Sequence, residues 1–457
     1  MNKRNEGASA FPAGSSSRND RTYTSIFDLD GVPQFSQALP LAMQHVVAMI
    51  VGCITPAIIV SGAAGLTDSQ KVVLIQASLV FAALSTLLML FPLTIGSFQL
   101  GAKLPMIMGV SFAYVPTLTA IAGTGGLAVV FGAQIIGAVA AFAIGLCITK
   151  IRKLFPPLVT GTVVFTIGLS LYPTAVNYIA GGVGQTTYGS AKNWIVGLFT
   201  LAVVTALNHY GKGFFKLASI LVGMFCGYLL ALVLDMVSFT SVGTAGWFAA
   251  PRFMYFGIRF DPASCVALGI LFIINSVQAI GDFSATTTGA MDREPTDTEL
   301  KGAITAYGVT NLIGAFFGCL PTASYSQNVG IVTTNKVISR AVLGLAAVII
   351  LIAGFLPKFS ALLTTIPYCV LGGATISVFA SIAMTGLKLV MRDNMGFRNT
   401  SILGLSAALG VGITQASASL EQFPSWVMTI FGKSPVVVAA IVAILMNLLL
   451  PKEKQKE

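Results

Sequence analysis

Two stretches interrupt an otherwise apolar sequence, and they read Pro321-Thr322-Ala323-Ser324-Tyr325-Ser326-Gln327-Asn328-Val329-Gly330 and Lys103-Leu104-Pro105-Met106-Ile107-Met108-Gly109-Val110-Ser111-Phe112-Ala113. Each stretch combines Pro, Gly and Ser with an aromatic residue, and the two lie at matched places in the two halves of the chain. Broken backbone inside a bilayer must line a cavity or be buried in protein, because unpaired N–H and C=O groups are costly in hydrocarbon. Paired interruptions in two repeats predict a solute site near the bilayer midplane. The alternative is that the prolines only kink packing helices.

The composition places the chain in a membrane. Of its 457 residues, 55% are hydrophobic and only 9% are charged, whereas soluble domains carry about 25% charged residues. A spanning helix needs about 20 apolar residues, so the sequence predicts about fourteen spans when the broken stretches, 103–121 and 321–337, are included. The other spans are 38–60, 72–94, 127–149, 156–175, 194–209, 215–236, 263–281, 302–320, 341–356, 362–386, 400–414 and 434–450. About seven spans in each half would make the two repeats inverted.

The basic residues predict the orientation through the positive-inside rule. The predicted cytoplasmic loops and their borders hold Lys150, Arg152, Lys153, Lys212, Lys216, Arg340, Lys388, Arg392, Arg398, Lys452, Lys454 and Lys456. The opposite loops hold fewer, chiefly Lys71, Lys192, Arg252, Arg259, Lys358 and Lys433. Both termini are therefore predicted to be cytoplasmic, with the polar segment 1–22 as part of a tail rather than a signal peptide. This scattered distribution of the net charge of +10 argues against a nucleic-acid partner.

A few polar side chains fall within the predicted spans. His45 is one of only two histidines, and ionisable groups inside a membrane tend to mark function, although a satisfied structural histidine is the equal alternative. Gln278 and Asp282 are four residues apart and so share a helical face. Asp282 is a candidate ion or proton group, or else a residue of the cytoplasmic helix end. Gln327-Asn328 offers adjacent amides that must be satisfied by substrate or by another helix.

Enzymatic chemistry has no support in the sequence. The six cysteines stand singly, mostly in apolar runs, and are expected to be buried free thiols. There is no metal-ligand cluster, nucleophile–base pair or phosphate loop in the sequence. We therefore expect no cofactor, no metal and no enzymatic activity.

The sequence resembles the nucleobase–ascorbate transporters (the nucleobase:cation symporter 2 type) over roughly residues 30–450. Their signature is Gln or Glu, Asn, any residue, Gly, four residues, Thr, then a basic residue or Gly. Here it reads Gln327-Asn328-Val329-Gly330-Ile331-Val332-Thr333-Thr334-Asn335-Lys336, with Asn335 in place of Thr. Supporting elements are Gln44-His45, Gly109-x-Ser111-Phe112-Ala113, Ile280-Gly281-Asp282 and Pro367 with Val370-Leu371-Gly372-Gly373-Ala374.

This resemblance implies an all-α membrane protein of two inverted seven-span repeats, with short β-strands interrupting spans 3 and 10. A core domain would comprise 37–150 and 263–356, and a gate domain 156–240 and 362–451. Residues 1–30 are expected, from the polar composition at the N-terminus, to be a disordered cytoplasmic tail. The resemblance also implies elevator-type movement of the core, a homodimer in the cell membrane, and a nucleobase as the substrate, most similar to the purines xanthine and urate.

The resemblance also assigns roles to residues. Phe112 would stack on the base, Gln327 and Gln278 would hydrogen-bond its polar edges, and backbone near Phe112 and Ser326 would add hydrogen bonds. The implied substrate-binding set is Ser111, Phe112, Gln278, Ser326, Gln327 and Asn328, and His45 and Asp282 would shape the site or couple an ion.

Two departures from the family concern this coupling. Many members have acids where this chain has Gln278 and Tyr307. Neither residue exchanges a proton usefully near neutral pH. Proton symport would then depend on Asp282 or His45, or sodium or no ion would be used instead. A uracil or other solute permease, and an anion exchanger or channel of the same architecture, are the alternative functions.

Overall fold

A computed structural model of the chain describes residues 24–96, 98–148 and 156–451. Most of the predicted N-terminal tail lies outside the described residues. So do several of the basic residues that predict orientation, namely Lys150, Arg152, Lys153, Lys452, Lys454 and Lys456.

Helices dominate the described chain, with four very short strands among them. The first half contains α1 (Phe35–Ala63), α2 (Asp68–Leu90), α3 (Val115–Leu146), α4 (Pro157–Ile179), α5 (Ala191–Tyr210), α6 (Phe214–Leu217), α7 (Ser219–Val233) and α8 (Thr240–Thr244). The second contains α9 (Pro262–Met291), α10 (Asp297–Phe316), α11 (Ser326–Asn335), α12 (Arg340–Gly354), α13 (Pro357–Thr364), α14 (Tyr368–Val390), α15 (Phe397–Gln415), α16 (Ser425–Val427) and α17 (Pro435–Leu449). The strands are β1 (Leu93–Ile95), β2 (Phe98–Leu100), β3 (Met108–Val110) and β4 (Thr322–Ser324), and a 3₁₀ turn (Phe112–Tyr114) leads into α3.

Seven of these helices are long and apolar enough to cross a bilayer, namely α1, α2, α3, α4, α5, α9 and α14. The pair α12–α13, which is bent by 82° at its break, would be an eighth span. The helices α7 and α17 are apolar but shorter. The chain is therefore a multi-pass helical protein, and the count of about fourteen spans stays a prediction.

The predicted span boundaries differ from the helices where proline or glycine intervenes. The predicted span 362–386 starts too early, because α13 ends at Thr364 and α14 begins only after Pro367. Gly126 adopts a left-handed, non-helical conformation (φ 72°) inside α3, which places a break between the predicted spans 103–121 and 127–149. The predicted span 321–337 holds only β4 and the ten-residue α11, too short to cross a membrane by itself.

The two broken stretches pair with each other. Strands β3 and β4 are antiparallel, with Gly109 opposite Ala323, and further backbone bonds flank them, from Ser111 N to Pro321 O (3.0 Å) and from Tyr325 N to Ile107 O (3.0 Å). The backbone groups freed by the interruptions thus satisfy one another in the interior. Because the strands are antiparallel, with Val110 opposite Thr322 and Met108 opposite Ser324, the chain leaves β3 toward α3 and β4 toward α11 at opposite ends of the strand pair.

The helices pack in two groups around this strand pair. In one group α3 packs on α9 and α10, and α2 packs on α12; in the other α4 packs on α14, and α17 packs on α15 and α4. The crossing of α4 and α14 is close, since a Cβ at Gly168 would lie 2.4 Å from Ala383 N and one at Gly372 would lie 2.3 Å from Ile179 N. Small residues permit such crossings in membrane proteins.

Candidate functional site

A cavity of about 160 Å³ lies where the strand pair meets the second helix group. One wall comes from the broken stretches and from α1 and α9, and it includes Ser111, Phe112, Gln278, Ser326 and Gln327. The opposite wall is formed by Val164 and Ile167 of α4, Ile220 of α7, and Val378, Ser381, Ile382 and Thr385 of α14. The cavity therefore separates the two helix groups at the place where the backbone is interrupted.

Ser111 and Phe112 stand directly after β3. The Ser111 hydroxyl accepts a hydrogen bond from Ala113 N (3.2 Å) and so caps the 3₁₀ turn. The Phe112 ring meets Phe379 of α14 edge-on, with ring centroids 5.2 Å apart, and is 6% exposed. Phe112 thus presents an aromatic surface to the cavity from a fixed position, which suits stacking on a flat solute.

Two amides are among the polar groups of the cavity wall. Gln327 is exposed at the first turn of α11, and Gln278 is half-buried on α9. The Gln278 Oε1 atom is buried and has no hydrogen-bond partner among the described residues. A buried acceptor of this kind is costly until a donor reaches it, so Gln278 Oε1 can accept a hydrogen bond from a donor that enters the cavity.

Asp282 does not line the cavity but holds two residues that do. Its carboxylate accepts hydrogen bonds from the Ser324 hydroxyl (2.5 Å) and from the Ser326 hydroxyl (2.8 Å). Ser324 ends β4 and Ser326 starts α11. Asp282 therefore fixes the junction of strand and helix through two charge-assisted hydrogen bonds.

His45 and Asn328 contact each other and also stand outside the cavity lining. Asn328 Nδ2 lies 3.0 Å from His45 Nδ1, within hydrogen-bond distance, and donates to the His45 carbonyl oxygen (3.3 Å). A second hydrogen bond, which the side-chain amide of Asn335 donates from Nδ2 to Gln44 Oε1 (3.1 Å), joins the same two helices. The visible role of Asn328 is to attach α11 to α1, and its contact with substrate stays a prediction.

Tyr307 belongs to a buried cluster of neutral groups. The Tyr307 hydroxyl is hydrogen-bonded to the Tyr114 hydroxyl. Asn275 Nδ2 donates to both hydroxyls, at 3.3 Å to Tyr307 and at 3.1 Å to Tyr114. These residues join the 3₁₀ turn before α3 to α9 and α10 in the first helix group. Tyr307 is thus a packing residue within this buried cluster.

The second wall of the cavity was not found from the sequence. Val378, Ser381, Ile382 and Thr385 follow one another at helical spacing on α14, so they share a face. The sequence feature that could have indicated this wall is the pair of hydroxyls at Ser381 and Thr385 on one face of α14. Nothing within α14 itself indicates which helix or cavity this face meets.

The comparisons with known proteins identify the family. The family model described as "Permease family" (Xan_ur_permease) matches residues 36–419. The xanthine permease of Bacillus subtilis is 31% identical over 91% of this chain and 94% of its own length. The uric acid permease PucK of the same organism is 33% identical over 90% of this chain and 95% of its own length.

A solved structure extends the likeness to the fold. The transmembrane domain of a cyanobacterial bicarbonate transporter, BicA, matches 89% of this chain and 97% of that domain, with a TM-score of 0.58 and 15% identity. At that identity the likeness concerns the fold alone. By sequence, the chain belongs to the permease family whose members include bacterial xanthine and uric acid permeases.

Proposed function

We propose that this permease imports a nucleobase, most similar to the purines xanthine and urate, by binding it in the cavity between the two helix groups. The observation that carries the proposal is that Phe112, Gln278, Ser326 and Gln327 line one cavity. An aromatic face together with amide donors and acceptors matches the flat, polar-edged ring of a purine. The relatives named as xanthine and uric acid permeases point to the same class of solute.

The proposed movement is elevator-like, with the first helix group as a core that carries the site and the second as a gate. The cavity lies on the boundary between the groups, so a shift of one group against the other would carry the solute with the core. The proposed core (37–150 with 263–356) contains α2, α3, α9, α10 and α12, which pack in the first group. The proposed gate (156–240 with 362–451) contains α4 and α14, which pack in the second group. We also propose that the chain has fourteen spans, that both termini are cytoplasmic, and that the protein is a homodimer.

Proton symport is the proposed coupling, with Asp282 as the group that takes up the proton. Its carboxylate accepts from Ser324 and Ser326, both of which line the cavity. Protonation would remove the charge that both hydroxyls now contact, so it would alter the cavity wall directly. Tyr307, in its neutral cluster, offers no such response.

Uptake of radiolabelled xanthine, urate, guanine, hypoxanthine and uracil into cells, with and without a protonophore, tests these proposals separately. We expect saturable uptake of a purine and its loss on adding protonophore. Uptake of uracil alone, or competition by bicarbonate in place of bases, would support the alternative functions and contradict the purine proposal. Purine uptake that the protonophore leaves unchanged would contradict proton coupling only.

A further inference from the structure

The residues before α1 form a closed loop, the N-terminal loop (24–34). Thr24 N donates to Val32 O (3.1 Å), and Val32 N donates to the Thr24 hydroxyl (2.7 Å), so the loop is tied at its neck. A Cβ at Gly31 would lie 1.9 Å from Ser25 O, which leaves no room for a side chain there. The loop therefore has a defined shape of its own.

This loop is docked on the segment that joins α11 to α12. Ile338 N and Ser339 N both donate to Ile26 O (3.2 Å), and Arg340 N donates to Leu29 O (2.9 Å). The Ser339 hydroxyl donates to Gly31 O (2.6 Å). Four hydrogen bonds to three consecutive residues fix the loop at the start of α12.

Asp30, within the loop, connects this segment to the other broken stretch. Its carboxylate forms ion pairs with Arg340 and with Lys103, the latter at 3.1 Å. Arg340 is further fixed through a hydrogen bond to Leu90 O (2.7 Å) and by its position 5.1 Å above the Phe91 ring. Lys103 lies shortly before β3, and Arg340 lies shortly after α11.

Asp30 thus joins the flanks of the two elements that supply Ser111, Phe112, Ser326 and Gln327 to the cavity. The strand pair β3–β4 holds these elements at the centre of the molecule, and Asp30 holds them at their outer ends. From this arrangement we propose that Asp30 is a positioning residue for the solute site: it fixes the separation of the two broken stretches without touching the solute. The inference rests on the proposed function for the identity of the solute, and on contacts alone for the coupling of the stretches.

Hydrogen–deuterium exchange of the purified full chain tests the coupling without any ligand. Asp30→Ala should speed amide exchange in both 104–113 and 326–335. Lys103→Gln should speed it in 104–113 only, since the Arg340 contacts remain. Asp28→Ala is the matched control, because Asp28 is exposed in the same loop and forms no ion pair with a described residue. Faster exchange confined to 24–34, or no change, would overturn the proposal.

Transport kinetics give the second arm. Asp30→Ala should raise the KM for xanthine or urate about two- to five-fold, the range expected for exposed ion pairs, and Asp30→Glu should restore it. An unchanged KM in Asp30→Ala would contradict a positioning role. So would a maximal rate that falls only in proportion to membrane abundance while KM stays the same. If the wild-type chain takes up no base, the proposed function fails, and the exchange experiment still decides whether Asp30 couples the stretches.

Discussion

Tyr325 forms part of the cavity wall through contacts that leave it no freedom. Its hydroxyl donates to Val110 O (2.7 Å), and its ring lies against Gly109 and Gly52. A Cβ at Gly109 would lie 2.5 Å from Tyr325 Cζ, and one at Gly52 would lie 2.9 Å from Tyr325 Oη. The two glycines are required at these positions because the aromatic ring occupies the space of their side chains.

The substitution Gly109→Ala should therefore displace the Tyr325 ring and destabilise the fold by about 1–3 kcal/mol, the usual cost of overpacking. Thermal unfolding of the purified protein measures this effect, and uptake should fall along with it. Gly269→Ala is the control, since a Cβ at Gly269 meets nothing within 4 Å. An unfolding temperature for Gly109→Ala equal to that of the control would show that the ring is not confined as described.

Several site residues could be predicted because they sit next to Pro, Gly and Ser in broken stretches. Ser111, Phe112, Ser326 and Gln327 belong to this set, and the structure places all four on the cavity. Asn328 is adjacent to them in sequence, but the helical turn directs its side chain to His45. Residues such as Val378 gave no signal, because an apolar face on a membrane helix contacts lipid or protein equally well until its partner is known.

At the scale of elements, β4 and α11 depend on one carboxylate. Asp282 accepts from both hydroxyls at their junction, and no cation contacts it among the described residues. The junction is thus fixed by polar contacts in a setting where loss of one partner leaves a buried group unpaired.

Asp282→Asn keeps the shape of the side chain but removes its charge and replaces one acceptor oxygen with an NH₂ donor, so one serine hydroxyl can no longer donate to it. We expect transport to fall at least about tenfold, since a hydrogen bond to a charged group is worth roughly 1.5–3 kcal/mol. Uptake normalised to membrane abundance measures this. Asp297→Asn, at an exposed helix start, should behave like wild type. Full activity of Asp282→Asn would contradict both the positioning and the proton role of Asp282.

The predicted spans missed element boundaries at proline and glycine, although the residues themselves mark them, and pairing decides other boundaries that no local residue marks. The start of α14 after Pro367 follows from the residue itself, although the apolar run before it suggested an earlier start. The pairing of β3 with β4 joins residues far apart in sequence. Three-residue strands carry too little pattern to be predicted from their own composition, and the family resemblance was needed to expect them.

At the scale of the whole molecule, the orientation of the chain is open to a direct test. Cys147 is exposed at the end of α3, next to a predicted cytoplasmic loop. A membrane-impermeant maleimide should therefore label Cys147 in inside-out vesicles but not in intact cells, as read by mass spectrometry. Cys147→Ser serves as the control for the other thiols. Labelling of Cys147 in intact cells would reverse the proposed orientation.

The two helix groups and the cavity between them lead to one decisive measurement, which is uptake of radiolabelled xanthine and urate by proteoliposomes that contain only the purified chain. Wild-type protein should show saturable uptake of at least one of them. Gln327→Ala should abolish uptake without loss of folded protein, and Gln185→Ala, in an exposed loop, should leave it intact. No uptake by the wild type, or equal uptake by Gln327→Ala, would contradict purine binding in this cavity.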